Sequence, residues 1–235
     1  MNFIRLFVAG AALLLASTAN SLVVTEFGTD VSFTYDNATF FGAGTISGNN
    51  IFFTPDAFLA QSFDGIGPAD LVTDTLNIDV NATTGGFNLS SFLLIENGDY
   101  KLDGVGADVD ATAFLQISSN TNVIGCGVSG FDLCQDTFLV NAGPLADTGG
   151  ASALWSLGGN IDLSDTIGWE VETSVNITLQ NNLLADTTSV GELAFIQKKF
   201  GVIGITVNPI PVPAAVWLFG SGLIALVGFA KRRQS

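Results

Sequence analysis

Hydrophobic and polar residues alternate with a period of two along much of this chain. The clearest case is Trp169–Gln180, where the odd positions are apolar apart from Thr173 and the even positions are polar. In Val72–Val80, Val72, Leu76, Ile78 and Val80 share one face. Such alternation predicts half-buried β-strands. Further strands are predicted at Leu22–Phe27, Val31–Tyr35, Ile51–Thr54, Phe87–Ile95, Asp108–Ser118, Thr137–Asn141 and Ile203–Val207.

Short clusters of Gly, Asn and Asp separate the predicted strands. This frequent turn chemistry favours hairpins and meanders over βαβ units. Two stretches, 56–61 and 183–186, are candidates for short helical turns. We therefore expect residues 20–208 to form an all-β domain, an antiparallel β-sandwich of jelly-roll-like type. The turn clusters are 42–44, 48–50, 85–86, 97–99, 149–150 and 158–160.

The first 19 residues have the composition of a signal peptide. Arg5 precedes an uncharged run from Leu6 to Ala16, and small side chains follow at Ser17 and Ala19. This order predicts cleavage by signal peptidase after Ala19. The alternative is a short membrane anchor, but an 11-residue helix would reach only about 16 Å, roughly half of a bilayer's hydrocarbon thickness. The chain is thus expected to be exported.

The C-terminal segment predicts one transmembrane helix. Residues 214–230 carry no charge, and a helix of this length would span about 26 Å. Pro213 suits the first turn of a helix, where its missing N–H costs nothing. The basic residues Lys231, Arg232 and Arg233 should stay on the cytoplasmic side, which places the acidic domain outside. A plain single-pass anchor is one interpretation of this segment.

A second interpretation follows from a resemblance. The motif Pro211-Val212-Pro213, the helix containing Trp217–Gly222, and the cluster Lys231–Arg233 together resemble the PEP-CTERM sorting signal, in its VPLPA-like variant because Val212 replaces the glutamate. The resemblance covers about the last 25 residues. It implies that an exosortase-type enzyme cuts near the motif, and that the protein reaches the cell surface or is secreted. The segment Ser91–Asp110, with a turn expected at 96–100, is loosely similar to one in β-sandwich proteins of this group.

The charge distribution narrows the function classes. All 22 acidic residues but only three lysines lie within 20–208, which gives this segment a formal charge of −19. Such a surface repels nucleic acid, since binding to phosphates relies on Lys and Arg. The chain has no histidine, which excludes Ser-His-Asp and Cys-His catalysis and His-ligated zinc. Its 19 phenylalanines favour a folded core over disorder.

Two cysteines, Cys126 and Cys134, lie close together in the sequence. In an exported protein such a pair most often forms a disulfide, and closing this loop would contribute about 2.5 kcal/mol. The alternative is a reactive thiol pair, but no Cys-x-x-Cys spacing and no neighbouring base support it. We expect the disulfide.

No cofactor is expected, and Ca²⁺ is the one metal with a candidate segment. Asp103–Asp110 partly matches the Gly-rich calcium repeat, in which oxygen ligands bind the ion. That architecture stacks many copies, whereas this sequence has one. A turn that leads into a strand is the favoured interpretation.

Three functions are compatible with this sequence. The first is a non-catalytic structural protein of the cell surface or extracellular matrix, associated with exopolysaccharide. The second is a carbohydrate-binding module, which would need exposed aromatic rings such as Trp155; the other aromatic candidates are Trp169, expected in the core, Tyr35 and Tyr100. The third is a secreted glycoside hydrolase, with paired carboxylates among Glu96, Glu170 and Glu172. Glu170 and Glu172 are expected to be solvated on one strand face. Of the three functions, we favour the first, a non-catalytic structural protein.

Overall fold

The structure is a computed structural model that describes residues 22–83, 85–122, 124–126 and 132–209. The predicted signal peptide with its cleavage site at Ala19 lies outside the described residues. So do the motif Pro211-Val212-Pro213, the helix 214–230 and the basic residues Lys231, Arg232 and Arg233. Within the part described, no helix has the length and apolar character needed to cross a bilayer.

The described residues form β-strands that all pair antiparallel. The strands are β1 Val23–Phe27, β2 Val31–Asp36, β3 Thr45–Ser47, β4 Asn50–Phe53, β5 Leu59–Phe63, β6 Asp70–Ala82, β7 Phe87–Asp103, β8 Asp108–Ser119, β9 Ile124–Cys126, β10 Asp132–Leu133, β11 Gln135–Asn141, β12 Ala153–Asp162, β13 Ser174–Asp186 and β14 Leu193–Pro209. The first sheet has the order β1-β2-β6-β13-β8-β11, and the second the order β12-β7-β14-β4-β3 with β5 also beside β14. β9 and β10 form a small separate pair. The prediction of an all-β antiparallel fold is confirmed.

The core lies between the two sheets and is built from alternating positions. In β13 every second residue is buried, from Val175 through Ile177 and Leu179 to Ala185. Phe92 and Leu94 of β7 approach from the opposite sheet and belong to the same cluster. Because each strand directs alternate side chains to one face, two facing sheets bury one continuous apolar layer, and the result is a β-sandwich.

The strand predicted at Trp169–Gln180 begins later than its pattern suggests. β13 starts at Ser174, and successive turns precede it, with the amide of Trp169 bonded to Thr166 and that of Glu172 bonded to Trp169. Trp169 is buried as expected, whereas Val171 is 58% exposed. The helical turn considered for 183–186 is wrong, because β13 continues through these residues, and part of 56–61 belongs to β5.

Two predicted turns are also wrong, because their glycines lie inside strands. Residues 97–99 are in the middle of β7, and 158–160 are in β12, a strand that the sequence pattern does not predict. A Cβ atom at Gly98 would lie 1.8 Å from the carbonyl oxygen of Gln197. Glycine at position 98 permits the close approach of the neighbouring strand β14 and does not mark a turn.

Candidate functional site

Three polar side chains occupy positions in the core that the strand pattern reserves for apolar residues. Glu96 follows Phe92 and Leu94 on the inward face of β7. Asn181 follows Leu179 on the inward face of β13, and Lys198 follows Ile196 on that of β14. Glu96 and Lys198 therefore project from one sheet and Asn181 from the other, and they meet between the sheets.

These three side chains bind one another in a closed ring of hydrogen bonds. The Lys198 Nζ donates to Glu96 Oε1 and to Asn181 Oδ1, both at 2.6 Å. The Asn181 Nδ2 donates to Glu96 Oε2 at 2.8 Å. Lys198 is 0%, Glu96 1% and Asn181 2% exposed. A buried ion pair is tolerated only with such additional hydrogen bonds, since removing two charges from water is costly. We call these residues the core triad.

Local chain geometry makes room for the core triad. Lys198 pairs with Gly98 and Phe200 with Asn97, so Lys199 is a bulged residue that lets the inward face change from even to odd positions. Gly201, which pairs with Glu96, then lies at an inward-facing position, where it contributes no side chain. A Cβ atom there would lie 3.2 Å from the Lys198 Cε and 3.4 Å from Nζ. The lysine side chain thus lies over a glycine.

Aromatic rings cover the amine of the core triad. The Lys198 Nζ lies 4.2 Å from the ring centroid of Phe41 and 5.8 Å from that of Phe58. The backbone amide of Lys198 also donates to the carbonyl of Phe58 at 2.9 Å. A cation at this distance is attracted by the ring face. The rings also exclude water, which strengthens every polar contact inside.

Burial shifts both ionisable groups of the core triad toward their neutral forms. Desolvation lowers the pKa of Lys198, although attraction and hydrogen bonding to Glu96 and the charge of Asp74 oppose this shift. Desolvation likewise raises the pKa of Glu96, against the opposing effects of Lys198 and Asn181. A proton shared between the two groups therefore leaves the lysine more readily than it would in water.

Two other glutamates, predicted to be solvated on one strand face, are separated by the fold. Glu170 is exposed and accepts a hydrogen bond from the amide of Gly168. Glu172 is fully buried, and its carboxylate accepts hydrogen bonds from the Ser119 hydroxyl, from the Thr121 hydroxyl at 2.8 and 2.9 Å, and from backbone amides at the start of β13. Glu172 is therefore a structural group that joins β8 to β13, and the expectation of a solvated side chain was wrong.

Cys126 and Cys134 are brought together at the small β9–β10 pair. Their sulfur atoms lie 2.07 Å apart and their Cα atoms 5.0 Å apart. Both side chains are 3% exposed and join the core cluster. This cysteine pair is positioned for a disulfide, as the sequence predicted.

The segment considered for calcium is a turn between two strands. β7 ends at Asp103 and β8 begins at Asp108, and Asp108 and Asp110 line a surface cavity of about 280 Å³ that Asp103 does not reach. The turn is held by Glu192, whose carboxylate accepts from the amides of Gly106 at 2.7 Å and of residues 188 and 189 at 2.8 Å. Across the described residues, no group of three or more metal-ligating side chains comes together.

Replacing Glu192 with glutamine is expected to reduce stability at neutral pH but not in acid. Desolvation raises the pKa of Glu192, but the hydrogen bonds from Thr188, Gly106 and Ser189 lower the pKa by a larger amount. The net shift is therefore downward. A lowered pKa contributes stability above the unfolded value of about 4.3, and this contribution is lost as the pH falls through the folded value. Melting temperatures of the two proteins should therefore differ at pH 7 and converge near pH 3. A difference independent of pH would contradict this assignment.

The aromatic residues considered for sugar binding lie in the core. Trp155 is 3%, Trp169 1%, Tyr35 2% and Tyr100 6% exposed. The Trp155 Nε1 donates to the carbonyl of Gln197 at 3.1 Å. The expectation that Trp155 is exposed was therefore wrong, because Trp155 lies in β12, which pairs with β7, and its side chain is on the buried face of that strand.

Sequence reasoning missed the core triad. In the sequence, Lys198 is one of three lysines in the acidic segment, Glu96 belongs to an expected turn and to a set of candidate carboxylates, and Asn181 belongs to no motif. The available signal is the alternation of apolar and polar residues: each of the three residues occupies a position at which this alternation predicts an apolar residue. Using this signal requires the full lengths of β7 and β14, and neither is evident from a short window of sequence.

The fold and the site define the described part of the chain as an antiparallel β-sandwich protein. No protein-family model and no curated protein matches it. Among solved structures, it is similar to the structure of infectious bursal disease virus Gt strain (16% identity, TM-score 0.26, covering 70% of this chain and 41% of that chain) and Gx strain (14%, 0.30, 71% and 41%). It is also similar to the VP2 subviral particle of that virus (12%, 0.26, 69% and 41%). This chain thus spans about two fifths of the viral chains that it matches, and likeness of this degree assigns no family.

Proposed function

We propose that this chain is an exported, non-catalytic structural protein of the cell surface or extracellular matrix, associated with exopolysaccharide. The observation that carries the proposal is the pairing of Cys126 with Cys134 in the fold, because disulfides persist in oxidising compartments outside the cytosol. The signal-peptide pattern at residues 1–19 and the sorting-signal resemblance at Pro211–Pro213 support the same destination. Signal peptidase and an exosortase-type enzyme are the processing partners, and the helix 214–230 is a transient membrane anchor.

The sandwich itself supports a structural role. Its central strands are long, 17 residues in β7 and β14, and pair along most of their length. The formal charge of −19 on residues 20–208 favours a soluble, self-repelling surface component. The jelly-roll-like connectivity that we expect for this sandwich belongs to the same proposal.

The alternatives find less support in the side-chain positions. A carbohydrate-binding module built on Trp155 would need that ring exposed, but the ring is buried and its Nε1 donates to the backbone carbonyl of Gln197. A glycoside hydrolase would need two carboxylates at an open cleft, whereas Glu96 and Glu172 are each buried with their own hydrogen-bonding partners. We therefore propose no enzymatic activity.

Cell fractionation and mass spectrometry test the proposal. The full chain is expressed in an exporting bacterium with and without an exosortase-type enzyme. We expect the mature N-terminus at Asn20, a C-terminus near Pro211–Pro213 only when the enzyme is present, and the protein outside the inner membrane. Its mass should lie about 2 Da below that of the reduced form, since a disulfide lacks two hydrogens.

A matched variant isolates the sorting motif. Substituting Pro211→Ala and Pro213→Ala should leave export and signal cleavage intact but abolish C-terminal processing. Recovery of the wild-type chain in the cytosol, with Met1–Ala19 attached and both cysteines open to alkylation without reductant, would refute the proposal.

A further inference from the structure

The core triad places an amine against a carboxamide. The Lys198 Nζ lies 2.6 Å from Asn181 Oδ1, and the carbonyl carbon Cγ is one C=O bond, about 1.23 Å, from that oxygen. The nitrogen is therefore within about 3.8 Å of the carbon. Groups held so close react as one molecule and avoid the entropy cost of an encounter.

The third member of the triad contacts both nitrogens that would exchange protons. Glu96 Oε1 is 2.6 Å from the amine of Lys198, and Glu96 Oε2 is 2.8 Å from Nδ2 of Asn181. One carboxyl group can thus accept a proton from the attacking nitrogen and deliver a proton to the leaving nitrogen. This is the geometry required of a general acid–base group.

The surroundings also suit a reaction between neutral groups. The three side chains are 0–2% exposed, and the rings of Phe41 and Phe58 cover the amine. Water, which would protonate the amine or hydrolyse an activated carbonyl, is excluded. Burial lowers the pKa of Lys198 and raises that of Glu96, which favours the uncharged nucleophile and the carboxylic acid.

We propose that the core triad forms an intramolecular isopeptide bond between the Lys198 Nζ and the Asn181 Cγ, with Glu96 as the proton-transferring group. The bond would join β14 of one sheet to β13 of the other and so tie the sandwich across its core. This inference does not depend on where the protein is located, and it can fail or hold independently of the proposed function.

The reaction is a transamidation with no redox change. Glu96 first takes one proton from the Lys198 ammonium, and the free amine attacks Cγ of Asn181 to form the new C–N bond. Glu96 then gives its proton to Nδ2 and takes a second from Nζ, while the Cγ–Nδ2 bond breaks and ammonia leaves. The products are a secondary amide, one ammonia and a protonated Glu96. Neutral groups replace a buried ion pair, which removes the desolvation cost of two charges.

Glycine at position 201 is consistent with this role. A Cβ atom there would come within 3.2 Å of the Lys198 Cε and 3.4 Å of its Nζ, so a larger residue would displace the amine from the amide. A lysine whose side chain extended into solvent would not require glycine at position 201. The bulge at Lys199 has a similar effect, because without it Lys198 and Gly201 would not share the inward face.

Peptide mapping of the full chain tests the inference directly. The folded protein is purified, denatured, reduced, and cut after Glu172 and Glu192 and after the free Lys199. Cleavage separates Asn181, in residues 173–192, from Lys198, in residues 193–199. We expect one branched peptide, lighter than the sum of the two linear peptides by one ammonia, about 17 Da. Recovery of only the linear peptides from folded protein would overturn the proposal.

Three variants assign the roles. Glu96→Gln keeps the shape but cannot transfer protons, and should slow formation of the bond by about 100-fold or more; an unchanged rate would refute the role of Glu96. Asn181→Asp should form the same bond with loss of water instead of ammonia, which identifies residue 181 as the acyl donor even if Glu96→Gln does not fold. The neighbouring substitutions Asn182→Ala and Lys199→Arg should leave the branched peptide unchanged, and its loss in either would contradict the assignment.

Discussion

Replacing Lys198 with methionine is expected to lower the free energy of unfolding by about 3–5 kcal/mol. Methionine fills a similar volume but leaves the Glu96 carboxyl group and the Asn181 amide without their shared donor. An unpaired polar group in a water-free core retains its full desolvation cost. Equilibrium unfolding in denaturant measures the difference.

Two control variants distinguish the effect of breaking the buried Lys198–Glu96 pair from the effect of removing one positive charge. Lys199→Met removes a lysine whose amine contacts Asp99 at 2.9 Å but is 53% exposed, and should cost less than about 1 kcal/mol. Replacing the whole triad, Lys198→Met with Glu96→Leu and Asn181→Leu, should recover the part of the loss that comes from unpaired polar groups, since apolar residues often substitute for buried ion pairs without penalty. If Lys198→Met is no more damaging than Lys199→Met, the core triad does not stabilise the fold.

The triple variant also bears on the isopeptide bond. A covalent link that closes a loop of this size restricts the unfolded chain and, by analogy with a disulfide, contributes about 3 kcal/mol. A triple variant that remains about this much less stable than the wild type indicates a covalent contribution. One that equals the wild type indicates that the polar contacts account for the whole effect of Lys198→Met.

Replacing Trp169 with alanine is expected to lower the free energy of unfolding by about 3–5 kcal/mol. The ring is 1% exposed, and its Nε1 donates to the carbonyl of Leu89 at 2.7 Å. The substitution therefore creates a large cavity and removes the donor to a buried carbonyl. Trp169 lies in the turns before β13, so its loss should also loosen the start of that strand. Chemical denaturation or calorimetry measures the effect.

Position 171 provides the matched control for Trp169. In the sequence pattern both residues belong to the apolar face of one strand, but Val171 is 58% exposed. Val171→Ala should therefore change stability by less than about 0.5 kcal/mol. Similar losses in the two variants would mean that the turns before β13 are misassigned.

The strands that could be predicted are those for which a short window of sequence contains both the apolar–polar alternation and the turn residues at each end. β2, β8 and β11 agree with prediction within a few residues, because alternation and flanking turn residues are encoded side by side. The sequence does not predict β12, since Gly158 and Gly159 suggest a turn. Contacts with distant residues explain both glycines: a Cβ atom at Gly158 would lie 2.5 Å from the carbonyl oxygen of Leu94, and one at Gly159 would lie 3.0 Å from the ring of Phe138. Glycine has two uses, and only three-dimensional contacts distinguish them.

The candidate site was less predictable than the fold. Glu96, Asn181 and Lys198 are far apart in the sequence, and no short motif connects them. The bulge at Lys199, which is defined by pairing with β7, brings Gly201 onto the same inward face as Lys198. A polar residue in an apolar row is a usable signal only after strand length and register are known.

By itself, the sequence determined that the domain is all-β, that its strands pair antiparallel, and that two cysteines close in sequence can bond. These properties follow from alternation, turn composition and spacing, which act over a few residues. The tertiary structure alone decided that Trp155 is buried, that Glu172 has no contact with solvent, and that Lys198 meets Glu96 and Asn181. The reason is physical: whether a polar group is solvated or buried depends on the facing sheet, and the facing residues come from distant parts of the chain.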